Sequence, residues 1–133
     1  MKKILLLVFL TCLIMLPISL SGQDTNAKKN VTGSWVGKLT PPGMDLKIVF
    51  NLKLVEKDSL VATLDSPDQN AYGIPCGEVV LNKQKLVIKA PDINGEYVGT
   101  IKGDSLNGTW SQNGGTFPLN LKKQTTPPEV QPK

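Results

Sequence analysis

The sequence predicts an all-β fold: a single small antiparallel up-and-down barrel of about eight strands. Apolar and polar residues alternate along several short runs, as they do in strands with one buried and one wet face. Turn-forming residues separate these runs, for example Pro41-Pro42-Gly43 and Asn113-Gly114-Gly115. Outside the N-terminal segment, no window shows a convincing helical period.

The N-terminal residues 1–22 have the pattern of a secretory signal peptide. Two lysines precede an apolar run over residues 4–16, and small residues lead to a cut predicted after Gly22, with a cut after Ser21 as the alternative. The sequence therefore predicts an exported protein, periplasmic or secreted. No membrane span is expected once the signal is removed.

One barrel domain is predicted over residues 31–123. Residues 23–30 are polar without an apolar period, which predicts a disordered leader. Residues 124–133 contain three prolines, which predicts an extended, disordered Pro-rich tail. The predicted strands are Trp35–Leu39, Met44–Leu54, Leu60–Leu64, Val79–Leu81, Leu86–Ile88, Tyr97–Ile101, Leu106–Trp110 and Phe117–Leu121.

The composition excludes several kinds of chemistry. Histidine is absent, so the chain carries no Ser-His-Asp or Cys-His nucleophile and lacks the usual ligands of a zinc site. We therefore expect no enzyme activity, no metal site and no cofactor. The lysines are spread along a chain without arginine, which argues against a nucleic-acid partner. Cys76, the one cysteine after the signal, is expected to be a small buried apolar residue.

The segment Asp65–Pro75, called the interaction loop below, breaks the alternation. Its two prolines interrupt ladder pairing, and its Asp and Asn side chains favour turns, so the segment is predicted to be a stiff loop rather than a strand. We expect both carboxylates to accept backbone N–H bonds within the loop and Tyr72 to be exposed. The candidate binding residues are Asp65, Ser66, Asp68, Gln69 and Tyr72.

Two features leave alternatives open. A weak internal echo places Trp35 and Trp110 after similar Gly-x steps, and these rings either plug the barrel or line a cavity for a small apolar ligand. Asp65 and Asp68, with Glu78 nearby, either form turns or supply a carboxylate pair or a calcium site, although their spacing is diagnostic of neither.

Several motifs together resemble a known family. They are Gly33-x-Trp35-x-Gly37-x-Leu39, Ala62–Gln69, Gly73-Ile74-Pro75, Tyr97-x-Gly99, Gly108-Thr109-Trp110-Ser111-Gln112-x-Gly114 and Pro118-Leu119-x-Leu121. Across nearly all of residues 31–123, the chain resembles the small all-β domain that precedes the catalytic domain in a group of exported bacterial α/β-hydrolases. The Gly-x-Trp near the first strand also resembles lipocalins, over a shorter stretch.

The resemblance implies an accessory role, because the nucleophile elbow and the catalytic domain of those hydrolases are missing from this sequence. We therefore expect an exported, non-catalytic interaction module whose partner is an exported hydrolase or another periplasmic protein. The alternative is a lipocalin-like carrier of a small apolar ligand, and the second alternative is a carboxylate-based enzyme.

Overall fold

The computed structural model of the chain describes residues 21–124, which form one α-helix and nine strands. The helix α1 spans Ser21–Val31. The strands are β1 (Gly33–Leu39), β2 (Leu46–Val55), β3 (Ser59–Ser66), β4 (Ala71–Pro75), β5 (Val79–Asn82), β6 (Lys85–Ala90), β7 (Gly95–Lys102), β8 (Ser105–Gln112) and β9 (Gly115–Lys123). No helix within the described range is long and apolar enough to cross a membrane.

The nine strands form one antiparallel sheet in the order β4-β3-β2-β1-β9-β8-β7-β6-β5. Strands that follow one another in the chain pair with each other, except β4 and β5, and β1 also pairs with β9 between Trp35–Gly37 and Leu121–Lys123. The sheet curls into a half-barrel. The predicted all-β, barrel-like fold is therefore confirmed.

The two edges of the sheet are joined by the short segment Cys76–Glu78, called the crossing below. The N–H of Cys76 donates to the carbonyl of Ala62 in β3 at 3.0 Å, and the N–H of Gly77 donates to the carbonyl of Lys89 in β6 at 2.7 Å. Lys89 returns a bond to the carbonyl of Glu78 at 2.9 Å. The chain thus changes its hydrogen-bonding partner from β3 to β6, and β4 and β5 act as two halves of one bent strand.

Strand β4 corrects the prediction that all of Asp65–Pro75 is a loop. The segment can pair because β4 is an edge strand, and Pro75, its last residue, lies where a missing N–H is tolerated. The pairing of β3 with β4 shifts register between Leu64 and Ser66. This irregularity accommodates the backbone of Gly73, where φ is 65°. The count is therefore nine strands where the alternation predicts about eight.

Large side chains fill the interior of the barrel. Trp35, Phe50 and Tyr97 are fully buried, and the Phe50 ring lies 5.5 Å from the Tyr97 ring and 6.1 Å from the Trp110 ring, measured between centroids. The Tyr97 hydroxyl donates to the carbonyl of Leu119 at 3.0 Å, so its one polar group is paired. The aromatic rings make the core a packed solid rather than a hollow.

The prediction of a disordered leader at residues 23–30 is wrong, because these residues belong to α1. The helix is held at one end of the barrel by its contacts. Thr25 Oγ1 donates to Asp58 Oδ2 at 3.0 Å, Lys28 Nζ donates to the Asp58 carbonyl at 2.8 Å, and Val31 is only 2% exposed. A short polar helix is marginal alone, so these tertiary contacts stabilise it where sequence periodicity gives no signal.

Two predicted segments fall largely outside residues 21–124. They are the apolar part of the signal peptide and the Pro-rich tail, of which only Gln124 is described. Both stay predictions.

Truncating the central aromatic ring tests the assignment of the inner face. We expect Phe50→Ala to lower the free energy of unfolding by about 3–5 kcal/mol, because the ring is fully buried between two other rings. Val61→Ala, on the outer face and 40% exposed, should change it by less than about 0.5 kcal/mol. Urea unfolding measures both. Equal losses would contradict the assignment.

The thiol at the crossing gives a second test. Burial raises the pKa of Cys76 to about 11, so at about pH 8 the folded chain should hold roughly 100-fold less thiolate than the unfolded chain. Iodoacetamide alkylation should accelerate by a similar factor in urea. The stability that comes from burying the neutral thiol should fall as pH rises from the ordinary thiol pKa towards 11. Equally fast alkylation with and without urea would show an open thiol.

Candidate functional site

The interaction loop lies at the end of the barrel opposite α1. Because the strands run alternately up and down, their connections fall into two groups. The loop end carries the connections at residues 40–45, 67–70, 91–94 and 113–114. The helix end carries α1 and the connections at residues 56–58, 83–84 and 103–104.

Asp65 holds the loop by two hydrogen bonds. Its Oδ1 accepts from the N–H of Gly73 at 2.7 Å, and its Oδ2 accepts from Asn51 Nδ2 at 3.0 Å. Asn51 is oriented in turn by Ser34, whose Oγ donates to Asn51 Oδ1 at 2.7 Å. The carboxylate therefore fixes Gly73 of β4 against β2 across the outer face of the sheet. The expected backbone bond to Asp65 is confirmed.

The expectation for Asp68 is wrong in one respect. Its Oδ2 accepts a backbone N–H at 2.7 Å, but the donor is Lys47 at the start of β2 rather than a residue of the loop. The 3₁₀ turn Pro67–Gln69 packs beside β2, which brings the carboxylate to the first residues of that strand. Asp68 therefore joins the interaction loop to the start of β2.

The remaining polar residues of the loop bond within it. Ser66 is 2% exposed and its Oγ donates to Gln69 Oε1 at 2.8 Å, as the sequence predicts. The N–H of Asn70 donates to the carbonyl of Pro67 at 2.9 Å, and Asn70 itself adopts the left-handed conformation, which Asn tolerates. The turn is thus closed by its own hydrogen bonds.

Tyr72 is 45% exposed, which confirms the predicted exposed aromatic residue. It lies on β4, which has a ladder neighbour only at β3. Met44, in the connection that precedes β2, is 50% exposed. The loop end therefore presents two large apolar side chains on a backbone held by hydrogen bonds.

A second turn at the loop end, which the residues Asp92-Ile93-Asn94-Gly95 already predict as a turn, repeats the geometry of the first, and this likeness escaped the sequence interpretation. In both Pro67–Gln69 and Pro91–Ile93, a 3₁₀ turn ends at a left-handed Asn whose N–H donates to the carbonyl of the Pro. Gln112 Nε2 donates to the carbonyl of Ile93 at 2.9 Å and secures this second turn. The signal was present as Pro-Asp-x-Asn, which occurs at both places in the sequence.

The two tryptophans do not meet at one cavity. Trp35 Nε1 donates to the carbonyl of Val31 at the helix end, whereas Trp110 Nε1 donates to Gln112 Oε1 at the loop end. Both rings are buried in the packed core. Two open hollows, one of about 420 Å³ between α1 and the turn at Lys83 and one beside the crossing, are lined by other residues. The ring positions agree with the alternative in which both tryptophans plug the barrel.

The three carboxylates of the enzyme alternative have separate partners. Asp65 and Asp68 accept the bonds described above, and Glu78 lies 3.5 Å from Lys89 Nζ in an exposed ion pair. Within residues 21–124, no group of three or more His, Cys, Asp or Glu side chains is placed to hold a metal ion.

Comparison with known proteins leaves the chain without an assigned family: no protein-family model matches it, and the search of curated proteins finds no match. The resemblance to the N-terminal domain of exported α/β-hydrolases therefore remains an expectation from sequence motifs. The candidate site therefore rests on the hydrogen bonds and the exposure of its own residues.

Replacing the loop carboxylates separately tests which of them fixes the loop. An Asn side chain has one acceptor oxygen, so Asp65→Asn must lose one of two bonds and should cost about 1–3 kcal/mol. Asp68→Asn can keep its single bond to Lys47 and should change stability by less than about 0.5 kcal/mol. Urea unfolding compares them, and equal effects would contradict the special role of Asp65.

Proposed function

We propose that the protein is an exported, non-catalytic β-barrel that presents the interaction loop to another exported protein. The observation that carries the proposal is the placement of Tyr72, which is 45% exposed on a loop whose polar groups are bonded locally. A fixed aromatic side chain loses little conformational freedom on binding, and for this reason Tyr is frequent among binding hot spots.

The geometry around Tyr72 favours a protein partner. The edge strand β4 offers backbone groups on its unpaired side, which an extended segment of a partner is able to pair with. Met44 adds a second exposed apolar side chain at the loop end, and the bond between Asp68 and Lys47 ties the interaction loop to β2. Aromatic, Met and backbone groups on a rigid support are typical of a protein interface.

The partner that we propose is an exported α/β-hydrolase domain, the class of domain that the resemblance implies. The packed interior gives the carrier alternative no support, because Trp35, Phe50, Tyr97 and Trp110 occupy the space that a ligand would need. The enzyme alternative gains no support from the carboxylates, which bond to the loop, to β2 and to Lys89.

Substituting Tyr72 separates a packing role from a binding role. We expect Tyr72→Ala to melt within a few degrees of the parent while losing at least about tenfold in partner affinity, as removal of an aromatic hot spot does. The measurement is capture from periplasmic extract, identification of the hydrolase by mass spectrometry, and titration of the purified pair. Val80→Ala, a substitution of a similarly exposed residue near the helix end, is the matched control and should bind normally.

Two results would overturn the proposal. The parent chain capturing no exported hydrolase would remove the partner, and equal capture by Tyr72→Ala and the parent would remove the loop as its binding site. A lower melting temperature with normal capture would leave Tyr72 as a packing residue.

A further inference from the structure

The fold gathers at one end the lysines that are spread along the sequence. The helix end carries eight lysines and four acidic residues, whereas the loop end carries three lysines and five acidic residues. The helix-end lysines are Lys28, Lys29, Lys57, Lys83, Lys85, Lys102, Lys122 and Lys123. The helix end therefore has a net charge of +4 and the loop end a net charge of −2.

Within residues 21–124, no lysine of the helix end forms an ion pair. The two ion pairs of the described chain, Lys38 with Asp45 and Lys89 with Glu78, both involve lysines of the loop end. Lys28 and Lys123 instead donate to backbone carbonyls, of Asp58 and Asn30 respectively. These bonds orient the two ammonium groups without neutralising them.

Exposed valines lie beside these lysines. Val55, Val61 and Val80 are 45%, 40% and 41% exposed, and each lies within two residues of the helix end of its strand. Their strands, β2, β3 and β5, are neighbours around the curled sheet on either side of the crossing. Exposed apolar side chains among cations are typical of a surface that meets a lipid interface.

The sequence before α1 also favours a membrane as the neighbour of the helix end. The apolar run over residues 4–16 joins the barrel through α1, and α1 lies at the helix end. If the predicted signal peptide enters a membrane during export, the chain that follows it reaches the barrel at the helix end.

We propose that the helix end is a docking surface for a membrane that contains anionic phospholipid. The lysines meet the headgroups, and the three valines reach the boundary of the acyl chains. Clustered lysines bind an anionic bilayer additively, and the attraction decays within a Debye length of about 10 Å at 0.1 M salt. This surface is separate from the interaction loop and does not depend on the loop's partner.

A lipid surface fits these observations better than nucleic acid does. Proteins that bind single strands stack bases on aromatic side chains, and Tyr72, the exposed aromatic residue within residues 21–124, lies at the opposite end. The chain also has no arginine for bidentate phosphate contacts. Exposed aliphatic side chains contribute to contact with lipid and little to contact with a phosphate backbone.

Vesicle sedimentation tests the proposal with the exported form of the chain. We expect that form to sediment with vesicles of equal parts phosphatidylcholine and phosphatidylglycerol and to remain in solution with phosphatidylcholine alone. Binding should weaken steeply as salt is raised.

Two triple variants with equal charge provide the matched comparison. Lys57→Gln, Lys83→Gln and Lys102→Gln together remove three exposed helix-end charges and should reduce the partition coefficient roughly 100-fold. The counterpart changes Lys38, Lys47 and Lys89 of the loop end to Gln and should bind within about twofold of the parent. Circular dichroism melting confirms that both fold.

The valines distinguish a membrane from a general polyanion. Val55→Ser with Val80→Ser should weaken vesicle binding severalfold and leave the binding of a single-stranded oligonucleotide, measured at the same salt, unchanged. The proposal would be overturned by no binding to the anionic vesicles, by equal losses in the two lysine variants, or by tighter binding to the oligonucleotide than to the vesicles.

Discussion

The structure depends on one change of hydrogen-bonding partner. At the crossing, Cys76 bonds to β3 and Gly77 bonds to β6, so a single stretch of chain holds both edges of the sheet. Without these bonds β3 and β6 would not be connected at the crossing, and the inner face of the sheet would be open to water there. Because the partners change within two residues, β4 stays with β3 at the loop end and β5 stays with β6 at the helix end.

The packed core follows from this closure. A curled sheet of short strands encloses little volume, and the rings of Phe50, Tyr97 and Trp110 need close backbone approach to fit. Gly99 provides that space beneath Tyr97, where a Cβ atom would lie 2.6 Å from the hydroxyl oxygen, and Gly95 provides it beneath Trp110. Gly95 and Gly99 therefore leave the space that these two rings occupy.

The sequence predicts the sheet well because alternation is local. In strands such as β3 and β7 every second residue is the more buried one, so the inner and outer faces follow from the sequence. The loop carboxylates were identified because Asp and Pro mark turns by their own backbone chemistry. The sequence could not predict α1, whose stability comes from Asp58 in a distant turn, nor the pairing of β4, which depends on the crossing.

The two surfaces also differ in how local they are in sequence. The interaction loop is one contiguous stretch of residues, so the sequence reveals it. The helix-end lysines come from α1 and four other segments, and they look scattered until the strands are placed. Up-and-down topology sends alternate turns to opposite ends, and this sorting gives a chain of net charge +4 one basic end and one acidic end. If the basic end lies on a membrane, the loop end must point away from it. Tyr72 would then face the compartment in which an exported partner diffuses.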